Sequence, residues 1–149
     1  MILPIKKLSP KIGNEIPAPA YASTGAAGMD LRACMDEAVT LAPGQRQLIP
    51  TGLAIAVPEG YAALIYARSG LAVKSGITLS NCVGVIDSDY RGELCVGLIN
   101  LSDTAFTVNP GDRIAQLVLT PVMQAELLFT DELDETARGA GGFGSTGLK

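Results

Sequence analysis

Histidine and tryptophan are both missing from the 149 residues. Without histidine, any general base in this chain has to be a carboxylate. The three cysteines, Cys34, Cys82 and Cys95, form no CxxC pair, which removes the common zinc and dithiol arrangements, and their apolar surroundings predict buried thiols. Charge is sparse as well, at 17% of residues with a net value of −4. That balance argues against a nucleic-acid polymer as partner, since such binding rests on many lysine and arginine contacts to phosphates. A small anion is still allowed. No apolar run reaches the roughly 18 residues of a membrane span, and the N-terminus lacks the apolar stretch of a signal peptide. The expectation is a cytoplasmic protein with no membrane partner.

What is present is aliphatic. Apolar residues make up 48% of the chain with only three phenylalanines, so the core is expected to consist of Val, Ile, Leu and Ala in a single domain. So little charge also hints at buried subunit contacts. Aliphatic and β-branched runs recur between turns: Gln47 to Val57, Tyr61 to Tyr66, Ile77 to Leu79, Glu93 to Leu101, Phe106 to Val108 and Ile114 to Leu119. This spacing predicts an all-β barrel or sandwich. Ala42-Pro-Gly44, Val57-Pro-Glu-Gly60 and Asn109-Pro-Gly111 supply the punctuation. One short helical turn is expected from Ser69 to Lys74, with Ser69 as its cap. Beyond about Asp131 the chain turns acidic and then glycine-rich, with five glycines in the last twelve residues, which predicts a mobile tail on residues 131–149 after a domain spanning 1–130.

All six arginines except Arg46 sit in short Gly-, Asp- or Ser-bearing segments. Guanidinium groups match phosphate oxygens, so an acidic protein that grips a polyphosphate would place them this way. Arginines also hold turns and bridge subunits, and that plainer role is expected for Arg32, Arg91 and Arg113. The segments are Ala27-Gly-Met-Asp-Leu-Arg-Ala33, Ala67-Arg-Ser-Gly-Leu-Ala72, Asn81 with Gly84 to Leu94, Gly111-Asp-Arg-Ile-Ala-Gln-Leu117, and Arg138 to Gly147. Together, in order and spacing, they resemble the five motifs of the trimeric dUTP diphosphatase family, from about Ala27 to the end of the chain. Met29 and Ala67 depart from residues common in the family, and neither supplies a reacting group.

The resemblance implies a jelly-roll-like homotrimer that converts dUTP and water to dUMP and pyrophosphate, keeping uracil out of DNA. Its sites would be built from several subunits. Asp87 falls at the family's catalytic aspartate; read without the family, the Asp87-Ser-Asp89 run serves equally well as a turn whose carboxylates satisfy backbone donors. Arg68, Ser69 and Gly70 are expected to bind phosphates. Gln116 would donate to an α-phosphate oxygen or the attacking water, unless it is an exposed edge residue. Asn81, Gly84 and Val85 would read uracil, and Tyr90 would pack under the deoxyribose and exclude a 2′-hydroxyl. Asp30 would meet Mg2+ through water, its alternative being an ion pair with Arg32. The tail is no Walker A loop, because no Lys-Ser or Lys-Thr follows its glycines. It resembles a lid in which Phe143 stacks on uracil, Arg138 pairs with the γ-phosphate, and Ser145 and Thr146 add donors. Two rivals stand beside this reading. A dCTP deaminase would need a glutamate where Gly97 stands, and a non-catalytic nucleotide-binding trimer would not need Asp87.

Overall fold

Short strands follow from the turn spacing. The computed structural model describes residues 1–142 and contains β1 (Ile5–Lys7), β2 (Gly28–Arg32), β3 (Val39–Leu41), β4 (Arg46–Pro50), β5 (Leu53–Ile55), β6 (Tyr61–Tyr66), α1 (Ser69–Ser75), β7 (Ile77–Leu79), β8 (Gly84–Ile86), β9 (Cys95–Asn100), β10 (Phe106–Val108) and β11 (Arg113–Pro121). All named strand pairs are antiparallel, in four sheets ordered β2-β11-β6-β8, β4-β9-β7, β1-β5 and β10-β3. The all-β expectation with one short helix therefore holds.

Alternation along the strands builds the core. Met29 and Leu31 of β2, Ile114, Ala115 and Leu117 of β11, and Val96 and Leu98 of β9 point inward with Ile49, Ile77 and Leu79. Asn100 is the largest buried polar side chain, and it is satisfied: Nδ2 donates to Leu41 O and Thr104 O, while Oδ1 accepts from Ser102. Burying it without those partners would cost about 1–3 kcal/mol.

Three expectations change. The run from Gln47 to Val57 is two strands, β4 and β5, because Gly52 adopts φ +68° between them. An L side chain is disfavoured there, and an ideal Cβ on Gly52 would also lie 2.7 Å from Cys34 Sγ. The residue before the first helical turn is Arg68 in extended conformation, so Ser69 lies inside the helix and makes no side-chain cap. Finally, Cys82 and Cys95 are exposed in the single chain and Cys34 is half-buried. Cys82 lies in the turn before β8 with φ +63°, and Cys95 lies at the first position of β9, whose buried residues alternate from Val96.

Candidate active site

Antiparallel register sets one polar row across the largest sheet. Asp30 of β2 faces Gln116 of β11, which in turn faces Tyr66 of β6. Their strand neighbours Leu31, Leu117 and Ile65 are buried, so alternation turns this row outward. Arg68 follows the end of β6 and donates through Nε to Asp30 Oδ1 at 2.9 Å; Arg113 Nη1 approaches Asp30 Oδ2 at 3.1 Å. One carboxylate thus aligns two guanidinium groups and leaves the pair of arginines with excess positive charge. Asp30 is partnered by Arg68 and Arg113 and not by Arg32, whose Nη1 donates to Gly111 O at 2.8 Å. Gln116 sits on a central strand, half-buried, with Nε2 donating to Ala67 O at 3.0 Å, which removes the edge-residue alternative. Ser69 and Gly70 are exposed on the first turn of α1 beside this cluster.

A second feature forms where the two larger sheets part. Ile65, Leu79, Asn81, Gly84, Val85, Ile86, Cys95, Val96 and Gly97 line a cavity of about 130 Å³. Two glycines keep it open. A Cβ at Gly84 would lie 3.1 Å from Ile65 Cβ, and one at Gly97 would lie 2.6 Å from Ser80 Oγ. A glutamate at position 97, as a deaminase needs, has no room without displacing Ser80. Burial first, and then the nearby charge of Glu93, push the Cys95 thiol above its ordinary pKa.

Asp87 directly follows β8. Its backbone carbonyl accepts from Tyr90 N at 3.2 Å, so Asp87 to Tyr90 do form a turn. Its side chain does not stabilise that turn: among the described residues, neither the Asp87 nor the Asp89 carboxylate accepts a hydrogen bond, and both residues are exposed. Arg91 does the turn-holding instead, donating to Ser88 O and Tyr90 O at 2.7 Å each. The Tyr90 ring folds back over Gly92, where a Cβ would sit 2.6 Å from Cζ, and its hydroxyl donates to Glu93 O at 3.0 Å.

The two features are separate within one chain. Ile86 pairs with Ala63, three residues along β6 from Tyr66. Asp87 lies one residue further, so with about 3.3 Å per residue and 4.8 Å per strand it is about 16 Å from Gln116 along the sheet.

Past Pro121 the described chain has no helix or strand and is exposed through Ala140. Arg138 donates through Nε to Gly141 O at 2.8 Å within a local turn, with no acidic partner among the described residues. The expected roles of Phe143, Ser145 and Thr146 fall outside the described residues. Among the described residues no three Asp, Glu, Cys or His side chains gather into a metal-holding group, and no helix is long and apolar enough to cross a membrane. Two residues go beyond what the sequence leads one to expect. Arg113, expected to hold a turn or bridge subunits, shares Asp30 with Arg68, and the Glu93 side chain reaches the β4–β5 turn. The Asp-Arg pair before a strand was a usable signal for the first, whereas nothing local marks the second.

The architecture is that of the all-β nucleotidohydrolases. A variant of the dUTPase of Staphylococcus bacteriophage 80alpha with dUpNHpp matches it over 99% of both chains at 28% identity, with a TM-score of 0.86. A variant dUTPase of phage phi11 of S. aureus, whose structure details the coordination of a structural Mg(II) ion, matches 91% of this chain and 100% of its own at 25% identity and a TM-score of 0.78. The deoxyuridine 5'-triphosphate nucleotidohydrolase of Tolumonas auensis is 57% identical over 96% of this chain and 95% of its own length. That of Hahella chejuensis is 55% identical over 97% and 96% respectively. The dUTPase family profile matches residues 14–147, and the chain belongs to the dUTPase family.

Proposed function

We propose that this chain hydrolyses dUTP to dUMP and pyrophosphate, with Asp87 as the base. The observation that carries the reading is the exposed Asp87 carboxylate, unpartnered among the described residues, at the end of the strand that walls the glycine-lined cavity. Uracil enters that cavity, read by Asn81 and by the backbone of Gly84 and Val85, while Tyr90 packs against the deoxyribose. Asp87 takes a proton from water as the water oxygen bonds to the α-phosphorus. The α–β bridging P–O bond breaks, and its electron pair leaves with pyrophosphate. No covalent intermediate is needed, and positioning supplies most of the acceleration.

Arg68, Ser69, Gly70 and Gln116 hold the phosphates, with Arg68 kept in orientation by Asp30. The separation of about 16 Å between Asp87 and Gln116 in one chain supports a site shared between copies, the cavity and Asp87 from one and the arginine cluster from another. The exposed apolar segment of Val122, Met123, Leu127, Leu128, Phe129 and Leu133 supports a partner of the same chain, because a solvated monomer rarely leaves so many large apolar residues uncovered. We read the assembly as a homotrimer of jelly-roll-like barrels, with residues 131–149 as a lid carrying Arg138. Magnesium, held through water by Asp30, would help neutralise charge developing on the phosphates. The protein side fits an ion that arrives with the nucleotide: Asp30 has both oxygens engaged by arginines and would meet it through water. The three free thiols support a cytoplasmic location.

Pyrophosphate release measured separately with dUTP and dCTP tests the reading. Release from dUTP alone supports it. No release from dUTP, or ammonia from dCTP, would overturn it.

A further inference from the structure

We propose that Glu93 is a positioning residue for sugar selection, acting through Tyr90; this rests on the reading that Tyr90 packs against the deoxyribose. The Gly52 N–H is buried and donates to Glu93 Oε1 at 2.7 Å. Gly52 is itself fixed, by its positive φ, by its contact with Cys34, and by its carbonyl, which accepts from Leu8 N at 2.8 Å. The next residue in each segment is locked as well. Leu94 N donates to Leu53 O at 2.8 Å, and Leu94 O accepts from Thr51 N at 3.2 Å and from the buried Thr51 Oγ1 at 2.6 Å. The β4–β5 turn is therefore a rigid anchor and Glu93 is its link to the loop after β8.

What hangs from that link is Tyr90. Its hydroxyl donates to the Glu93 backbone carbonyl at 3.0 Å, and its ring lies against Gly92, the residue before Glu93. Tyr90 is 43% exposed, and its ring and hydroxyl rest on Gly92 and Glu93. The carbonyl of Glu93 and the bare Cα of Gly92 hold it; the Leu94 N–H fixes one side of the Glu93 carbonyl's peptide unit, and the Glu93 carboxylate fixes the residue on the other side, next to Gly92. A buried N–H that loses its acceptor drives local rearrangement to find another. The segment Gly92 to Glu93 then shifts, and the ring loses the fixed position that excludes a 2′-hydroxyl. Such exclusion depends on contact and weakens with displacements of about 1 Å. Thus Glu93, which touches neither base nor sugar, governs the ratio of kcat/KM for dUTP to that for UTP.

The test compares that ratio in E93A, E93Q, Y90F and Y90A, each assayed on the full chain by pyrophosphate release from dUTP and UTP. E93A is expected to lower the ratio about tenfold, mainly through faster use of UTP; E93Q, which keeps an oxygen acceptor for Gly52 N–H, restores it. Y90F removes only the hydroxyl that rests on Glu93 and lowers the ratio to a similar extent. E93A and Y90F combined lower it no further than either alone, because both cut one chain of contacts. A purely structural role would lower the melting temperature of E93A and leave the ratio unchanged, which overturns the proposal. If E93A fails to fold, Y90F decides: a wild-type ratio there overturns the proposal. Y90A separates the two readings. A wild-type ratio in Y90A refutes the sugar role of Tyr90 itself, whereas a lowered ratio in Y90A with a wild-type ratio in E93A refutes only the part assigned to Glu93.

Discussion

Replacing Asp30 by asparagine removes one negative charge from between two arginines while keeping the shape of the side chain. In the native protein each carboxylate oxygen has its own guanidinium, Arg68 at 2.9 Å and Arg113 at 3.1 Å. The amide keeps one acceptor oxygen and turns an NH2 group toward the other arginine, donor against donor. Side-chain exposures of 27% for Asp30, 25% for Arg68 and 48% for Arg113 make these solvent-screened pairs, each worth about 0–1 kcal/mol. The loss of stability should thus stay below about 2 kcal/mol, a fall in Tm of at most about 8 °C for a chain of this size. Raising salt should shrink the difference between the two proteins. Activity should suffer more. Arg68 loses the contact that aims it, and a charge-assisted interaction of about 1.5–3 kcal/mol realised at the phosphates corresponds to about 10- to 100-fold in kcat/KM. Calorimetry at two salt concentrations and pyrophosphate release from dUTP measure both effects. Unchanged kcat/KM would refute the role of Asp30 in orienting Arg68, and a Tm loss well beyond 8 °C would show that the cluster is structural in the first place.

Gly52→Ala combines positive φ with a Cβ 2.7 Å from Cys34 Sγ, so a loss of more than about 1 kcal/mol is expected in urea unfolding. Gly84→Ala brings a methyl to 3.1 Å from Ile65 Cβ in the glycine-lined cavity proposed for uracil; KM for dUTP should rise about tenfold or more with a melting temperature close to wild type. Lys11 and Asp36 form a 2.6 Å ion pair whose hydrogen bond raises the lysine pKa and lowers the aspartate pKa. The aspartate's contribution is complete above its unfolded pKa and is lost as pH falls through its lowered folded value; the lysine's is complete below its ordinary pKa and is lost as pH rises through the raised one. Lys11→Met should therefore flatten the acid limb of a Tm-against-pH curve.

Several strands are readable from the sequence: Tyr61–Tyr66 and Phe106–Val108, each next to a proline-glycine turn, and Ile77–Leu79 have the bounds expected of them. β2 and β8 are not, because Gly28, Asp30 and Gly84 carry low strand propensity and are held by partners far along the chain, β11 and β6. The same non-local pairing explains the site. Family resemblance singles out Asp30 and Arg68, but only the folded chain reveals that Arg113 shares the Asp30 carboxylate and that Arg32 does not. Cys82 and Cys95 show the limit of reading burial from apolar neighbours, since alternation turns Cys95 outward between two buried residues, Leu94 and Val96.

The central claim is that Asp87 activates water. Asp87→Asn, tested by single-turnover pyrophosphate release alongside equilibrium binding of dUTP, addresses it most directly. The expected rate is lower by about 100- to 10,000-fold, with dUTP affinity within a few-fold of wild type. A rate within threefold of wild type, at unchanged affinity, would contradict it.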